Sequence, residues 1–493
     1  MGTIQRQGII NAIIVYTGVV LGFFNRVIIQ PHYLTPEEVG LSGLLISFSA
    51  LLMVFFSVGS ASMCVRFFPT FKDKASGHHG FMGFLLLFPL TGVLAGGIVL
   101  WILKGWIIAR YSSTSVLFAD YFYWVFPLAV TMSFIAALSA YTSSLLKTTV
   151  ASFLNDVWIR ILLIAIVFLY VASWINFDQF VAGILVAYLS QLVLLVLYIL
   201  RIDGMSFRID WAFVHKVGLR KILNYTVSLA LTVISTLSLR FLDAIMIGAF
   251  LSEKAVAVYT IGAFIAQFIE TPLNSLERIA VVKIAHAFQL NNFQEIKEIY
   301  YKSVRYLFLI GGFIGMCIIT CIHDLLRLLP EAYHDAAVVT IIASVGSMCN
   351  MGTGVNTPII NNSSKYFWNM IFLMILLVVS VVLNLLLIPR MGIYGAAIAT
   401  VISSTMFNLL KFFFIWKNFK MMPYDLQTIK SIGVILITGV VAWLLPVSSN
   451  PWFAIATRGA VIFVVYVSLA YMLKIVPEYN LALKNWLVRN RKG

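Results

Sequence analysis

Long apolar runs recur along almost the whole chain, and they limit what it can fold into. Each run holds about 20 mostly apolar residues, which is the length that an α-helix needs to cross a bilayer. The runs are too long and too unbroken for the strands of a membrane barrel. Fourteen runs are present, near residues 8–30, 39–61, 80–103, 121–145, 152–174, 179–200, 222–249, 255–276, 302–322, 337–360, 366–388, 392–416, 430–447 and 452–474.

The residue composition agrees with a membrane protein. Of the 493 residues, 61% are hydrophobic and 11% are charged, whereas a soluble domain averages about 25% charged residues. No small-residue cleavage site follows the first run, so we expect it to be a retained helix rather than a signal peptide. The sequence therefore predicts an all-α polytopic membrane protein of about 14 transmembrane helices.

A motif that occurs twice indicates an internal duplication. The turn Leu34–Gly40 is similar to Leu251–Ala257, 217 residues further along the chain. Six runs lie on each side of a basic connector, which predicts two parallel six-helix lobes, then a C-terminal helix pair, with both termini cytoplasmic. The predicted parts are an N-terminal lobe at 1–205, a cytoplasmic connector at 206–221, a C-terminal lobe at 222–420, and helices 13 and 14 with a basic tail at 421–493.

The basic residues follow this predicted topology. The net charge is +15, and 25 of the 34 Lys and Arg residues, Lys411 among them, fall on the predicted cytoplasmic side. Six fall outside or at the outer edge, and three are placed in the membrane interior: Arg26, Arg160 and Arg240. Because this bias is what the positive-inside rule predicts, the charge indicates topology and an attraction to anionic lipids rather than nucleic-acid binding.

Arg26 is the least expected residue of the first span. An arginine in hydrocarbon costs about 2.5–3.5 kcal/mol on insertion scales and is tolerated where it faces water or a partner. Small and polar residues follow the same side of the helix, namely Asn11, Gly18, Gly22 and Asn25. This side favours a position towards a cavity, and snorkelling of Arg26 to the outer membrane surface is the alternative.

The seventh span carries a polar stripe that ends in two opposite charges. At about 100° per residue, one side of the helix holds Ser228, Thr232, Ser235, Thr236, Arg240 and Asp243. The offset between the two motifs also relates Arg26 to Asp243, so corresponding helices carry opposite charges. The spacing of Arg240 and Asp243 permits an ion pair, which leaves open whether they form a structural pair or line a cavity that Asp243 tunes.

Two further ionisable residues lie deep within predicted spans. Arg160 is about 12 Å from the cytoplasmic start of its span at 1.5 Å per residue. Asp156 lies four residues earlier and is placed to neutralise it, so a structural pair and a cavity cation both stay open. Glu270 is a candidate for proton or sodium coupling, or else a buried neutral acid, and a bend at Pro272 would help to orient it. Beyond Pro272 we expect the chain to leave the membrane as an amphipathic interfacial segment.

The sequence holds no arrangement of residues that is typical of an enzyme. A phosphate-binding glycine loop, paired metal ligands and a nucleophile elbow are all missing, so we expect no catalytic residue, no metal and no cofactor. We interpret His78 and His79 as a solvated loop pair. The four cysteines predict packing residues rather than a disulfide framework.

Three segments resemble a known family of transporters. The segment Asn384–Thr400 is an apolar helix end followed by a proline and then Gly-x-x-Gly-Ala-Ala-x-Ala-Thr. The segments Leu34–Gly40 and Leu239–Tyr259 show further similarity. With the span count and the duplication, they resemble the bacterial polysaccharide flippases of the multidrug/oligosaccharidyl-lipid/polysaccharide (MOP) exporter superfamily.

The resemblance implies two lobes around a central cavity that opens alternately to each side of the bacterial inner membrane. The implied substrate is an undecaprenyl-diphosphate-linked oligosaccharide, moved to the outer leaflet for a surface polysaccharide such as the O-antigen of lipopolysaccharide. Arg26 and Arg240 approximately match the family's cavity arginines; Arg160 is added for its depth, and Asn25 because it adjoins Arg26. Implied partners are this lipid, the bilayer, H⁺ or Na⁺, and a glycan polymerase or ligase.

Two other functions stay open on the sequence alone. A cation-coupled multidrug or metabolite antiporter with the same fold would depend on Asp243 or Glu270. A non-transporting scaffold for glycan assembly would tolerate neutralisation of every charge in the cavity.

Overall fold

A computed structural model describes residues 2–204, 206–445 and 449–475; the side chains of residues 2–9, 228 and 231 lie outside this description, and with them Ser228 of the polar stripe. Within the described ranges every regular element is a helix. Thirteen helical segments are long and apolar enough to cross a membrane. The prediction of an all-α polytopic membrane protein is confirmed.

The difference between thirteen segments and fourteen predicted spans lies in the longest helix. Phe367–Phe419 has 53 residues, about 80 Å at 1.5 Å per residue, whereas a bilayer core is about 30 Å thick. Gly392 interrupts it with φ 61° and ψ −140°, a conformation that favours glycine. A Cβ atom on Gly395 would overlap the carbonyl oxygen of Leu387. The segment is therefore two helices that meet at a tight corner, as the sequence predicted.

The described chain divides into two compact units between Ala257 and Val258. The six-plus-six division into lobes stays a prediction. The helices of the N-terminal unit are α1 (Gly2–Phe23, extended by a π turn at Phe24–Ile29 and by Gln30–Tyr33), α2 (Pro36–Phe56), α3 (Ser60–Phe71), α4 (Phe81–Tyr111), α5 (Val116–Asp120), α6 (Val125–Ser144), α7 (Thr148–Phe153), α8 (Ile159–Val171, joined to α7 by a π turn at Leu154–Trp158), α9 (Phe177–Ile202), α10 (Trp211–Val217) and α11 (Leu219–Phe250).

The C-terminal unit begins within the next helix, α12 (Glu253–Gln267). A 3₁₀ turn at Phe268–Glu270 joins α12 to α13. The remaining helices are α13 (Thr271–Gln289), α14 (Phe293–Leu326), α15 (Ala336–Met351), α16 (Asn356–Asn362), α17 (Phe367–Phe419), α18 (Leu426–Trp443) and α19 (Pro451–Met472). The helix beyond Pro272 continues to Gln289, and the exit from the membrane and the interfacial segment expected there stay a prediction.

The repeated motif starts a helix in both of its copies. In the first, Thr35 Oγ1 accepts a hydrogen bond from the Glu38 amide at 3.3 Å, and Glu38 Oε2 accepts one from the Thr35 amide at 2.8 Å. This reciprocal capping box satisfies amides that a helix start leaves unpaired. In the second copy Ser252 Oγ accepts from the Ala255 amide at 3.2 Å. The motif therefore marks the starts of α2 and α12.

The interpretation of His78 as a solvated residue is wrong. Its side chain is 3% exposed, Nδ1 accepts a hydrogen bond from the Asp73 amide at 2.9 Å, and Nε2 lies 3.0 Å from Asp203 Oδ1. Tyr141 Oη donates to the other oxygen of Asp203 at 2.6 Å. These bonds hold the end of α9, just before the connector, against the loop between α3 and α4.

His79 makes a second attachment of the same loop, this time to the connector. Its ring stacks on Phe213 with 3.7 Å between ring centres, and Nδ1 lies 3.1 Å from Asp210 Oδ2. Gly77 to Gly80 all have positive φ, including 57° at His78 and 51° at His79. Since this region costs a residue other than glycine about 1–2 kcal/mol, the contacts with the connector offset a real backbone cost. We name this pair of attachments the connector clamp.

Candidate functional site

The first span changes its helical geometry at Arg26. The π turn Phe24–Ile29 contains both Asn25 and Arg26, and the Gln30 amide bonds to the Asn25 carbonyl across it. π turns are rare in proteins, and those that occur often lie at functional sites. Asn25 is 6% exposed, and its Oδ1 has no hydrogen-bond partner among the described residues. The wide turn thus leaves a buried acceptor directly beside the arginine.

The side chain of Arg26 is half-buried and crosses to the neighbouring helix. Nη1 donates to Gln30 Oε1 at 3.3 Å. A Cβ atom on Gly43 of α2 would lie 2.6 Å from Nη2, so the guanidinium rests directly on this glycine. Gly43 lies seven residues inside α2, which is about 10 Å along the helix axis. Arg26 therefore packs against α2 about two turns after the start of that helix.

Arg160, on α8, packs against α1, the helix that carries Arg26. It follows a second π turn, Leu154–Trp158, and its Nη1 donates to the Asp156 carbonyl oxygen at 2.9 Å. A Cβ atom on Gly22 of α1 would lie 3.1 Å from Arg160 Nε, and one on Gly18 would overlap the guanidinium. The two glycines form a smooth surface on α1 over which the arginine extends.

Arg160 thus lies over Gly18 and Gly22 of α1, one to two turns before Asn25 and Arg26 of the same helix, whereas Arg26 extends to α2. Gly22 and Arg26 are four residues apart, which is about 6 Å along the helix axis. Asp156 contributes its backbone oxygen to Arg160 and also interacts with it electrostatically. The structural pair and the cavity cation both stay open for Arg160 and Asp156.

Arg240 and Asp243 differ in their surroundings. Arg240 is exposed on α11, whereas Asp243 is 8% exposed. The C-terminal end of α11 is held by Tyr111 Oη, which donates to the Ile245 carbonyl at 2.8 Å, and by Ser115 Oγ, which donates to the Gly248 carbonyl at 2.8 Å. None of these contacts brings Arg240 to Arg26 or Arg160.

Glu270 lies in the C-terminal unit, at the end of a 3₁₀ turn. The turn Phe268–Glu270 interrupts the α-helix directly before Pro272, and Glu270 is half-buried there. The irregular turn stands where the sequence suggested a bend. It sets the direction in which the carboxylate leaves the helix.

The most deeply buried charge near Glu270 was not predicted as a functional residue. Lys411 of α17, counted among the cytoplasmic residues, is 3% exposed. Its Nζ donates to Thr357 Oγ1 at 3.1 Å and lies 4.0 Å from the centre of the Phe407 ring. Glu277 and Glu270 interact with it electrostatically. The sequence did hold a sign of this contact, because Phe407 and Lys411 are four residues apart and so lie on one face of a helix. Sorting the basic residues by predicted side of the membrane did not take such spacing into account.

Comparison with known proteins agrees with this architecture. A family model described as MatE matches residues 228–387. No curated protein matches the chain. The MatE segment begins within α11 and ends in the first part of α17, and so contains Arg240, Asp243 and Glu270.

Solved structures match over a much larger part of the chain. An inward closed conformation of the lipid II flippase MurJ is 15% identical, with 94% of this chain and 99% of that chain covered and a TM-score of 0.75. An inward-facing multidrug resistance MATE family transporter of the MOP superfamily is 15% identical, with 84% and 98% covered and a TM-score of 0.63. A MOP superfamily transporter from Pyrococcus furiosus is 14% identical, with 84% and 95% covered and a TM-score of 0.56.

These matches show a multi-pass membrane fold that this chain shares with the flippase MurJ and with a MATE transporter of the MOP superfamily. The resemblance in fold that was drawn from the sequence is therefore confirmed. Flippases and drug transporters share the fold, and the matched proteins are transporters rather than enzymes. The choice between the two activities therefore depends on the residues of the site.

Proposed function

We propose that the protein is a flippase that moves an undecaprenyl-diphosphate-linked oligosaccharide from the inner to the outer leaflet of the bacterial inner membrane. The observation that carries this proposal is the placement of two arginines along α1: Arg160 lies over Gly18 and Gly22, and Arg26 follows one turn after Gly22. Two guanidinium groups thus offer hydrogen-bond donors along a segment that otherwise crosses hydrocarbon. A transporter of neutral or cationic drugs has no use for them.

The chemistry of a diphosphate fits this pair of arginines. Guanidinium is planar, stays charged, and binds phosphate oxygens through two parallel hydrogen bonds. Gly43 and Gly22 bring helix backbone close to the two side chains, which limits their freedom and lowers the cost of ordering them on binding. Asn25 would add a polar contact from the same turn.

The proposal includes a cellular setting. Both termini would lie in the cytoplasm, two six-helix lobes would alternate in access, and the product would pass to a glycan polymerase or ligase for surface polysaccharide such as O-antigen. Arg240 would extend the cationic surface and Asp243 would tune it. Coupling to H⁺ or Na⁺ would involve Asp243 or Glu270.

The test is surface glycan in cells whose only flippase is this protein. Arg26→Ala and Arg160→Ala are each expected to abolish surface glycan while the protein remains inserted at wild-type level. Arg201→Ala is the matched control, because Arg201 is an exposed arginine of the same unit and is expected to leave glycan unchanged. Normal glycan in both site variants would contradict the flippase and would leave the scaffold standing.

A cation-coupled multidrug or metabolite antiporter is the second candidate. The burial of Asp243 and the half-buried Glu270 favour it, because carboxylates at depth are suited to bind a coupling cation. It predicts that overexpression raises drug resistance and that Asp243→Asn removes the increase. Resistance that persists in Asp243→Asn and Glu270→Gln would argue against this activity.

A further inference from the structure

A groove lies within the N-terminal unit, between α4 and the start of α6. Its volume is 470 Å³, which is within the range of about 300–1,000 Å³ that is usual for small-molecule sites. One wall is the part of α4 from Val93 to Lys104, and the other is formed by Phe122, Tyr123 and Phe126. Apart from the Lys104 ammonium and the Tyr123 hydroxyl, the side chains that line it are apolar.

The shape of the groove is fixed by packed side chains. Phe122 is 3% exposed, and its ring packs edge-on against that of Phe48 with 5.6 Å between the ring centres. Leu100 is also buried. Gly97 keeps the space between the walls open, because a Cβ atom there would lie only 3.0 Å from Phe126 Cε2. The groove therefore has a rigid floor, and its width depends on a residue without a side chain.

The open side of the groove faces the bilayer. Leu94 and Ile98 line it and are 62% and 61% exposed. They belong to the helical segment His78–Tyr111, which is long and apolar enough to cross a membrane. Apolar side chains that are exposed within a membrane span contact acyl chains rather than water. A hydrocarbon chain is therefore the chemistry that fits between the walls.

Lys104 lies at the level of the lipid headgroups. Helix α4 has 31 residues, about 46 Å at 1.5 Å per residue, whereas the hydrocarbon core is about 30 Å thick. Lys104 comes 23 residues after the start of α4 at Phe81, which is about 35 Å along the helix axis. Trp101 and Trp106 flank it and are exposed, as is typical of aromatic residues at the membrane surface.

The charge of Lys104 is available to a ligand. Its side chain is exposed and forms no ion pair with another described residue. A lysine at the membrane surface attracts anionic headgroups. From Val93 to Lys104 the groove extends about 16 Å along α4, which is about half the thickness of the hydrocarbon core. The groove thus combines the depth of one leaflet with a cation at its headgroup end.

We propose that this groove binds one anionic phospholipid, with an acyl chain between α4 and Phe126 and the phosphate at Lys104. The lipid belongs to the leaflet at the C-terminal end of α4, which is the outer leaflet in the predicted topology. An undecaprenyl chain is much longer than one leaflet is thick, and a single lysine is a weak match for a diphosphate. The site is therefore distinct from that of the proposed substrate, and it does not depend on the proposed transport function.

The test of the headgroup contact is native mass spectrometry of the full-length protein in detergent. The protein is titrated with phosphatidylglycerol, or with phosphatidylcholine of the same acyl chains, which has no net charge. The wild type is expected to retain one phosphatidylglycerol more tightly than phosphatidylcholine. Lys104→Gln should lose about fivefold of the affinity for phosphatidylglycerol and none for phosphatidylcholine. Lys254→Gln is the control, because Lys254 is an exposed lysine of the same unit, and it is expected to match the wild type.

Ile98→Trp tests the groove itself, since the larger side chain is expected to fill it and to weaken the binding of both lipids. Val99→Trp is the matched control, because Val99 is 54% exposed but lies outside the groove. Leu94→Trp blocks the same groove if Ile98→Trp does not fold. Equal lipid binding by the groove variants and Val99→Trp would mean annular lipid only and would overturn the site. Preferential binding of undecaprenyl phosphate, or a protein dimer that Ile98→Trp dissociates, would assign the groove to another occupant and contradict the proposal.

Discussion

At the scale of single residues, glycines determine where the buried arginines lie. Gly43 leaves room for the guanidinium of Arg26, and Gly22 for that of Arg160. Spacing alone placed both arginines in spans. It could not show that α2 carries a glycine opposite Arg26, because that contact joins residues from different helices.

We predict that Gly43→Ala impairs transport through Arg26. Its new Cβ would lie 2.6 Å from Nη2, so the guanidinium must move, and a small displacement of a binding group costs activity. We expect surface glycan to fall towards the Arg26→Ala level at unchanged protein abundance. Gly105→Ala is the control, since nothing lies within 4 Å of a Cβ there; equal glycan in both variants would contradict the positioning.

A different residue, Asp324, is predicted to stabilise the C-terminal unit. It is 1% exposed and contacts Arg458 Nη1 at 2.6 Å and Arg327 Nη1 at 3.4 Å. Asp324→Asn would leave Arg458 buried without its carboxylate, which costs about 3–5 kcal/mol in comparable pairs. The free energy of unfolding in detergent measures this loss. Glu298→Gln, which breaks the exposed pair with Lys302, is expected to change little, and similar losses in both variants would rule out a special role for Asp324.

At the scale of helices, regular spans were predictable and their interruptions were not. Apolar runs predict helices because backbone groups in lipid must bond within the helix, and the Gly392 corner was visible as a proline and glycines between two runs. The π turns at Phe24–Ile29 and Leu154–Trp158 carry no such signal. They depend on how α1 and α8 pack, which no local pattern records.

The connector clamp is expected to respond to acid. The Phe213 amide and His79 both hydrogen-bond to Asp210 and hold its pKa below the ordinary 3.8. A carboxyl group with a lowered pKa stabilises the folded state above its unfolded pKa, and this contribution is lost as the pH falls through the folded value. The protection of residues 206–217 from hydrogen exchange, relative to the unfolded chain at the same pH, should therefore fall as the pH falls below about 4.

The variant that checks this assignment is Asp210→Asn. Asparagine still caps α10 through its side-chain oxygen but no longer titrates, so the extra acid sensitivity should disappear while α10 remains. If protection from exchange falls equally in the wild type and in Asp210→Asn, the acid response belongs to another group.

At the scale of the whole molecule, fold and function differ in how far the sequence determines them. Span count, duplication and the segment Asn384–Thr400 predicted the superfamily, and the matched structures confirm that fold. The choice of substrate depends on a few polar side chains among many apolar ones. Flippases and drug transporters carry different functional side chains on the same fold. Lys411 shows the limit most plainly, since only the packing of α13, α16 and α17 reveals it.

The most direct test of the central claim is lipid binding by the purified protein. Undecaprenyl diphosphate is compared with undecaprenol, which has the same chain without the diphosphate, for the wild type, Arg26→Ala and Arg160→Ala. A hydrogen bond to a charged group contributes about 1.5–3 kcal/mol, so each variant should lose about tenfold or more of the affinity for the diphosphate and none for the alcohol. Equal affinity of the wild type and both variants for undecaprenyl diphosphate would contradict a diphosphate site at Arg26 and Arg160.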